Sequence, residues 1–198
     1  MSMTPSDYSN LYASCRLTDD PRKLKELDSV CRVALANQCF YSTVEKFVSI
    51  PWPVIAAIHF RESGQNFKCH LHNGDPLSAR TVHIPAGRPA KGAPPFTWID
   101  SACNALTGRV QPPAWDLAGC LEFMEYYNGG GYQKRGVNTP YLWDYTDAYT
   151  SGLFVADGTF DPTKKESRPG AAAILKTLEA KGVSLDFTAL VAVSPGVH

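Results

Sequence analysis

A single carboxylate ends the apolar segment Pro53-Val54-Ile55-Ala56-Ala57-Ile58-His59-Phe60-Arg61-Glu62, and Ser63-Gly64 follows at once. The run reads as a helix that Gly64 stops, since glycine enters the left-handed conformation of a helix cap without strain. A Glu closing such a helix beside a glycine-rich loop is poorly solvated. Desolvation disfavours the charged form, so its pKa should rise. A carboxylic acid still protonated near neutral pH can give a proton to a leaving oxygen, the step that glycosidic bond cleavage requires. Spacing alone equally allows a charged helix end facing water.

Two further groups of residues fit the same chemistry. The loop Asn73-Gly74-Asp75-Pro76-Leu77-Ser78-Ala79-Arg80-Thr81 brings a second carboxylate, Asp75. Glycosidases pair an acid with a base or nucleophile across the scissile bond. The plainer reading of Asp75 is an Asx turn before Pro76. The stretch Tyr126-Tyr127-Asn128-Gly129-Gly130-Gly131-Tyr132 offers aromatics that stack on sugars, an amide for N-acetyl or hydroxyl groups, and glycines that admit a ligand to the backbone. It also reads as a glycine-terminated helix with aromatic core residues. Tyr141, Trp143, Tyr145 and Tyr149 would extend a groove or fill the core.

Other chemistries fit less well. Cys69-His70-Leu71-His72, with His59 and His83, holds metal-ligand residue types, but HExxH and paired CxxC spacings are missing. His70 and His72 are expected in loop hydrogen bonds or substrate contacts. GxSxG is absent, and Ser63 is better explained as support for the helix end. The phosphate-cradling glycine patterns are absent too, so the reading calls for no cofactor and no metal.

These residues need a scaffold. Pro21 behind Asp19-Asp20 starts a helical pattern that runs to Val48 as one or two helices, and Ile50-Pro51-Trp52-Pro53 restarts it. Residues 64–97 form a long turn-rich connection, with Thr81-Val82-His83-Ile84 as a short strand inside it. Helices are expected over 96–106, 114–127 and 171–180, with few strands anywhere. The fold class is therefore mainly α, with a long loop and short β region after the Glu62 helix. Residues 1–20 read as a weakly ordered leader, 21–182 as the catalytic domain and 183–198 as a tail.

Composition agrees with one globular domain: 198 residues, 44% apolar and 19% charged. The formal net charge is zero, with 19 basic and 19 acidic residues, which argues against a nucleic-acid partner held by bulk electrostatics. No apolar run reaches the roughly 20 residues that span a bilayer. The amino terminus has no basic start followed by an apolar stretch, so no secretory signal is read. The six cysteines form no CxxC pair and are expected as free thiols.

Glu62-Ser63-Gly64 resembles the Glu-Ser motif of lytic transglycosylases and goose-type lysozymes, and Tyr127-Asn128-Gly129 resembles their later Tyr-Asn motif. Leu71-His72-Asn73-Gly74-Asp75-Pro76-Leu77, Thr81-Val82-His83-Ile84-Pro85-Ala86-Gly87-Arg88-Pro89, Pro95-Phe96-Thr97-Trp98, Pro140-Tyr141-Leu142-Trp143 and Val155-Ala156-Asp157-Gly158 resemble phage-related lysozymes or endolysins. The likeness covers roughly residues 50–180. It implies a lysozyme-like helical fold and peptidoglycan as substrate. The bond would be the β-1,4 link between N-acetylmuramic acid and N-acetylglucosamine. Glu62 carries over as the acid, and Tyr127 and Asn128 as groove residues. The transglycosylase Gly-Leu-Met-Gln motif is missing. A looser likeness to phage-type lysozymes, which place a Thr six residues beyond the Asp, would have Asp75 and Thr81 hold the attacking water.

The expectation is thus a monomeric peptidoglycan hydrolase acting on the cell wall, with Glu62, Asp75 and Thr81 catalytic and Ser63, His72, Tyr127, Asn128, Tyr132 and Tyr141 on the substrate. The alternatives are a lytic transglycosylase, a non-catalytic glycan-binding module and, more remotely, a metal hydrolase.

Overall fold

The structure, a computed structural model, describes residues 3–156 and 158–190. Among these lie eight α-helices: α1 (Pro5–Ser14), α2 (Pro21–Ala36), α3 (Gln38–Val48), α4 (Trp52–Ser63), α5 (Trp98–Leu106), α6 (Leu117–Tyr127), α7 (Pro140–Trp143) and α8 (Ala171–Ala180). One antiparallel pair, β1 (Leu153–Ala156) and β2 (Thr159–Asp161), lies between α7 and α8. The protein is mainly helical, with a long loop after α4 and a short β region late in the chain. Among the described residues no helix is long and apolar enough to cross a membrane.

Helix α4 is the hub. Val54, Ile55, Ala56, Ala57 and Ile58 are all fully buried, as expected for a helix apolar on every side. It packs against α2, α3, α6 and α8. Each large aliphatic side chain so buried stabilises the fold by about 1.5–3 kcal/mol. Gly64 ends the helix at φ 61°, and the Gly64 and Gln65 N–H groups bond back to Phe60 and His59. The helix boundary therefore falls immediately after Glu62-Ser63.

His59, on the buried side of α4, is a core residue. The Trp98 indole N–H donates to His59 Nε2 at 3.0 Å, and the Tyr41 hydroxyl lies 3.0 Å from Nδ1. With Nε2 accepting, Nδ1 carries the proton. Burial pushes the His59 pKa down to about 4, so the ring is neutral.

Three sequence expectations need revision. Residues 5–14 are no weakly ordered leader: α1 has a Thr4–Asp7 capping box and packs on α6. Its fully buried Tyr8 donates to Glu125 Oε2 at 2.8 Å, and Tyr12 donates to Glu179 at 3.1 Å. The tail is partly structural, since Leu185 is buried and the Phe187 N–H bonds the Trp115 carbonyl. Its last stretch, 191–198, lies outside the described residues.

Thr81-Val82-His83-Ile84 forms no strand. The Val82 and His83 N–H groups that a ladder would use go to the Asp75 carboxylate instead. The long loop is nonetheless ordered. Leu71 and Leu77 anchor it in the core, and Cys69 and Pro76 form an isolated bridge. All six cysteines are free.

Candidate functional site

Four elements meet at the carboxyl end of α4. Helix α4 supplies Glu62. The Thr139 side chain caps α7, Pro140 starts it, and Tyr141 follows in its first turn. The glycine-rich turn after α6 supplies Asn128 and Gly131, and the β1–β2 pair supplies Leu153, Phe154 and Ala156. Together they enclose a cavity of about 560 Å³ that is also lined by Arg61, Tyr132, Glu166 and Arg168.

Glu62 is partly buried, and burial raises its pKa above the usual carboxylate value. The Tyr141 hydroxyl, which donates to Glu62 Oε1 at 3.0 Å, opposes that rise, as do the charges of Arg61, Arg168 and Arg109. Burial and the neighbouring Glu62 keep the Tyr141 phenol protonated well beyond its ordinary range. Tyr141 is therefore a fixed donor, and it orients one oxygen of Glu62 while the other remains for the proton.

Glu166 is the other carboxylate among the described residues that line this cavity. Its side chain is largely buried and accepts from Arg61 Nη2 at 3.0 Å, with Arg168 at 3.5 Å. Burial works against its charge, but the Ser167 N–H, Arg61 and Arg168 together hold its pKa below the usual value. The cavity thus holds two carboxyl groups pushed in opposite directions, one towards the acid and one towards the ion. Arg61 also donates to the Arg168 and Pro169 carbonyls at 3.2 Å and lies over the Tyr141 ring, 5.0 Å from its centroid.

The other predicted residues divide into those near the cavity and those in the loop. Tyr127 ends α6 beside Glu62. Its hydroxyl is buried without a well-formed hydrogen bond among the described residues, and the Arg109 guanidinium lies 4.5 Å from its ring centroid. Tyr132 lines the cavity but is only 8% exposed. Its oxygen accepts the Phe154 N–H and its ring packs edge-on against Phe154, so it forms wall rather than a free stacking platform. Ser63 bonds back to the His59 carbonyl at 3.2 Å and supports the helix end.

His72 lies 3.0 Å from Asn104, and burial lowers its pKa to about 4. His70 is held between the Ser101 hydroxyl and the Ala79 carbonyl. The histidines of the metal reading thus have separate partners, and no group of three or more potential ligands gathers among the described residues.

Asp75 and Thr81 do not line the Glu62 cavity. The turn just before Asp75 packs against α4: a Cβ at Gly74 would stand 3.3 Å from the Glu62 carbonyl oxygen, and Gly74 has φ 81°. Asp75 itself turns into the loop. Its Oδ2 accepts from the Val82 and His83 N–H groups at 2.8 and 3.0 Å, and its Oδ1 lies 2.6 Å from His83 Nδ1. These contacts, the His83 N–H foremost, pull its pKa down to about 2. Thr81 donates to the Pro85 carbonyl and accepts the Arg88 N–H. Both residues organise the loop.

The chain matches no family model, no curated protein and no solved structure. Residue chemistry and geometry therefore carry the functional reading. Sequence reasoning missed Arg61, Glu166 and Arg168. Arg61 directly precedes Glu62, and the other two fall in the run Glu166-Ser167-Arg168-Pro169-Gly170, whose one signal is charge beside a turn.

Proposed function

We propose that the protein cleaves the β-1,4 glycosidic bond between N-acetylmuramic acid and N-acetylglucosamine in peptidoglycan, with Glu62 as general acid. The observation that carries this reading is Glu62 itself. It is a carboxyl group with a raised pKa, fixed by the Tyr141 hydroxyl, at the edge of a cavity large enough for sugar rings. Protonated Glu62 gives its proton to the glycosidic oxygen as the C1–O bond breaks, and positive charge develops on the C1 sugar. Asn128, exposed on the cavity rim, meets an N-acetyl or hydroxyl group. The resemblance of the ordered motif set to phage-related lysozymes supports the choice of peptidoglycan.

Hydrolysis requires water to be deprotonated and to attack C1, and Asp75 with Thr81 was the sequence's candidate for that step. A specific observation favours the second reading, lytic transglycosylation. The Asp75 oxygens are occupied by loop donors and Glu166 is held by two arginines, so neither is a strong base. In transglycosylation the muramyl 6-hydroxyl attacks C1, its proton returns to Glu62, and no second carboxylate is needed. The mass of muropeptides released from purified sacculi separates the two: reducing ends mean hydrolysis, and products lighter by one water mean transglycosylation. Binding to sacculi without release of either product would favour the glycan-binding module and overturn the enzyme reading.

A further inference from the structure

The end of α4 is tied to the segment before α8 from both sides. Arg168 Nη1 donates at 3.2 Å to the carbonyl of Arg61, in the last turn of α4, where carbonyls need partners from outside the helix. Arg61 answers with Nη1 on the Arg168 and Pro169 carbonyls and Nη2 on Glu166 Oε2. The same segment lies directly on α7. The Gly170 N–H donates to the Asp144 carbonyl at 3.0 Å, and a Cβ at Gly170 would collide with the Leu142 carbonyl. The helix that carries Glu62 and the helix that carries Tyr141 are thus joined through residues 166–170.

Glu166 is the anion of this junction. Its N–H donates to the Tyr149 hydroxyl at 3.2 Å, and its Oε1 accepts the Ser167 N–H at 2.9 Å. Its Oε2 accepts from Arg61 at 3.0 Å and lies 3.5 Å from Arg168 Nη2. The Arg61 side chain is only 4% exposed, and Glu166 is its one ion-pair partner among the described residues. A buried guanidinium that loses its partner is costly. Arg61 in turn lies over the Tyr141 ring, 5.0 Å from its centroid, and the Tyr141 hydroxyl donates to Glu62 Oε1 at 3.0 Å. A continuous line of contacts therefore runs from Glu166 through Arg61 and Tyr141 to Glu62.

We infer that Glu166 is a positioning residue for Glu62: its carboxylate holds Arg61 against Tyr141 and the end of α4, and it offsets the charges of Arg61 and Arg168 in the cavity that all three share with Glu62. The inference rests on the glycosidase reading and adds what sets the pH range of its acid. Both Glu166 oxygens are taken by protein donors, so it acts through Arg61 and not on the substrate. The groups whose charge acts on Glu62 are Arg61 on its own helix, Tyr141 from α7, Arg168 from the segment before α8 and Arg109 from beyond α5, while Glu62 acts on Tyr127 of α6. All three arginines favour the Glu62 anion, and Glu166 is the carboxylate that two of them share.

The test reads two profiles of the full chain. One is the pH dependence of muropeptide release from sacculi; the other is the titration of the Glu62 carboxyl by carbon NMR, assigned by its absence in Glu62→Gln. Glu166→Gln keeps the size of the side chain and removes its charge. Arg61 and Arg168 are then unbalanced, so the Glu62 titration and the alkaline limb should both move to lower pH. Activity on that limb should fall about tenfold relative to the acid plateau. A residue that only holds the fold would lower the whole profile without moving the limb. Adding Arg168→Gln to Glu166→Gln removes one of the two unbalanced charges and should bring the limb back towards wild type. Glu166→Asp keeps the charge but falls short of Arg61, so it should lower kcat and leave the limb in place. If Glu166→Gln does not fold, Arg168→Gln alone decides: that side chain is half exposed, and its loss should move the limb to higher pH. A limb and a titration that stay in place in Glu166→Gln, or in Arg168→Gln where that variant decides, overturn the inference alone. Wild type that releases nothing overturns the glycosidase reading, and the Glu62 titration still decides the role of Glu166.

Discussion

Glu62 and Asp75 are neighbours through the turn that packs on α4, yet the protein treats their carboxyl groups in opposite ways. Glu62 sits where burial outweighs one tyrosine donor and the charges of three arginines, so its pKa is raised above the usual carboxylate value. Asp75 is met by two backbone N–H groups and a histidine ring, and its ion is stabilised to a pKa of about 2. Residue type does not distinguish the two; burial and the number of donors delivered to each do. Glu62 is left able to give a proton, and Asp75 spends its lone pairs on holding a loop in one shape.

The sharpest way to break this contrast is Glu62→Gln. It keeps the shape and the Tyr141 contact but removes the proton. Activity should fall roughly 10³-fold or more, within the range for general acid catalysis upwards. The same variant should gain stability. A raised folded-state pKa means the native state holds its proton more tightly than the unfolded chain, so wild type loses stability as pH rises from the ordinary Glu range through the raised value. Gln has no such cost, and thermal melts at neutral pH should place Glu62→Gln above wild type, with the gap closing in acid. A variant less stable than wild type at neutral pH would mean Glu62 is a structural anion.

Asp75→Asn tests the other side. Loss of a charged acceptor for three donors should cost about 1.5–3 kcal/mol, seen as a lower denaturation midpoint. Because the Asp75 pKa is depressed in the folded state, its contribution is present above the ordinary Asp value and disappears as pH falls towards about 2. The difference between wild type and Asp75→Asn should therefore shrink over that acid window. If Asp75 organises the loop, the folded variant should keep activity within about tenfold of wild type, whereas loss of a general base costs roughly 10²–10⁴. A loss on that larger scale in a folded variant would return Asp75 to the catalytic site.

Two smaller effects refine the comparison. Tyr141→Phe removes the one hydrogen bond that opposes the rise in Glu62, so the alkaline limb of the pH–rate profile should move to higher pH. A limb that moves to lower pH would contradict the assigned balance. His83→Ala deletes one of the three Asp75 donors from an exposed side chain and should cost about 1 kcal/mol or less. An effect as large as that of Asp75→Asn would show that the ring, not the backbone N–H groups, holds the loop.

What was legible in the sequence follows the reach of each interaction. The Glu62 helix was readable because its signal is local: a continuous apolar run and a stop at Gly64. The helix that begins behind Thr97 was readable for the same reason, since Thr97 accepts from Asp100 three residues on. Asp75 was ambiguous because its partners lie seven and eight residues ahead, and the Asx turn beside it is made by Asn73, whose side chain accepts the Asp75 N–H. Helix α1 carries a local start signal, Thr4-Pro5 with Asp7, that the sequence reading passed over; what lay out of reach was its docking, through two tyrosines whose hydroxyls find Glu125 and Glu179 far along the chain. Glu166 was missed for the same reason: its role depends on Arg61, which only the folded chain brings to it. Of the predicted cluster, Glu62, Asn128, Tyr132 and Tyr141 meet in one cavity, while Ser63, His72, Asp75 and Thr81 support the helix end and the loop.

The most direct test of the central claim is muropeptide release from purified sacculi by wild type and Glu62→Gln, followed by mass spectrometry of the soluble fraction. Release of disaccharide-containing products by wild type, and their loss in a folded Glu62→Gln protein, is the predicted result. Release by Glu62→Gln at a rate near wild type would contradict the account.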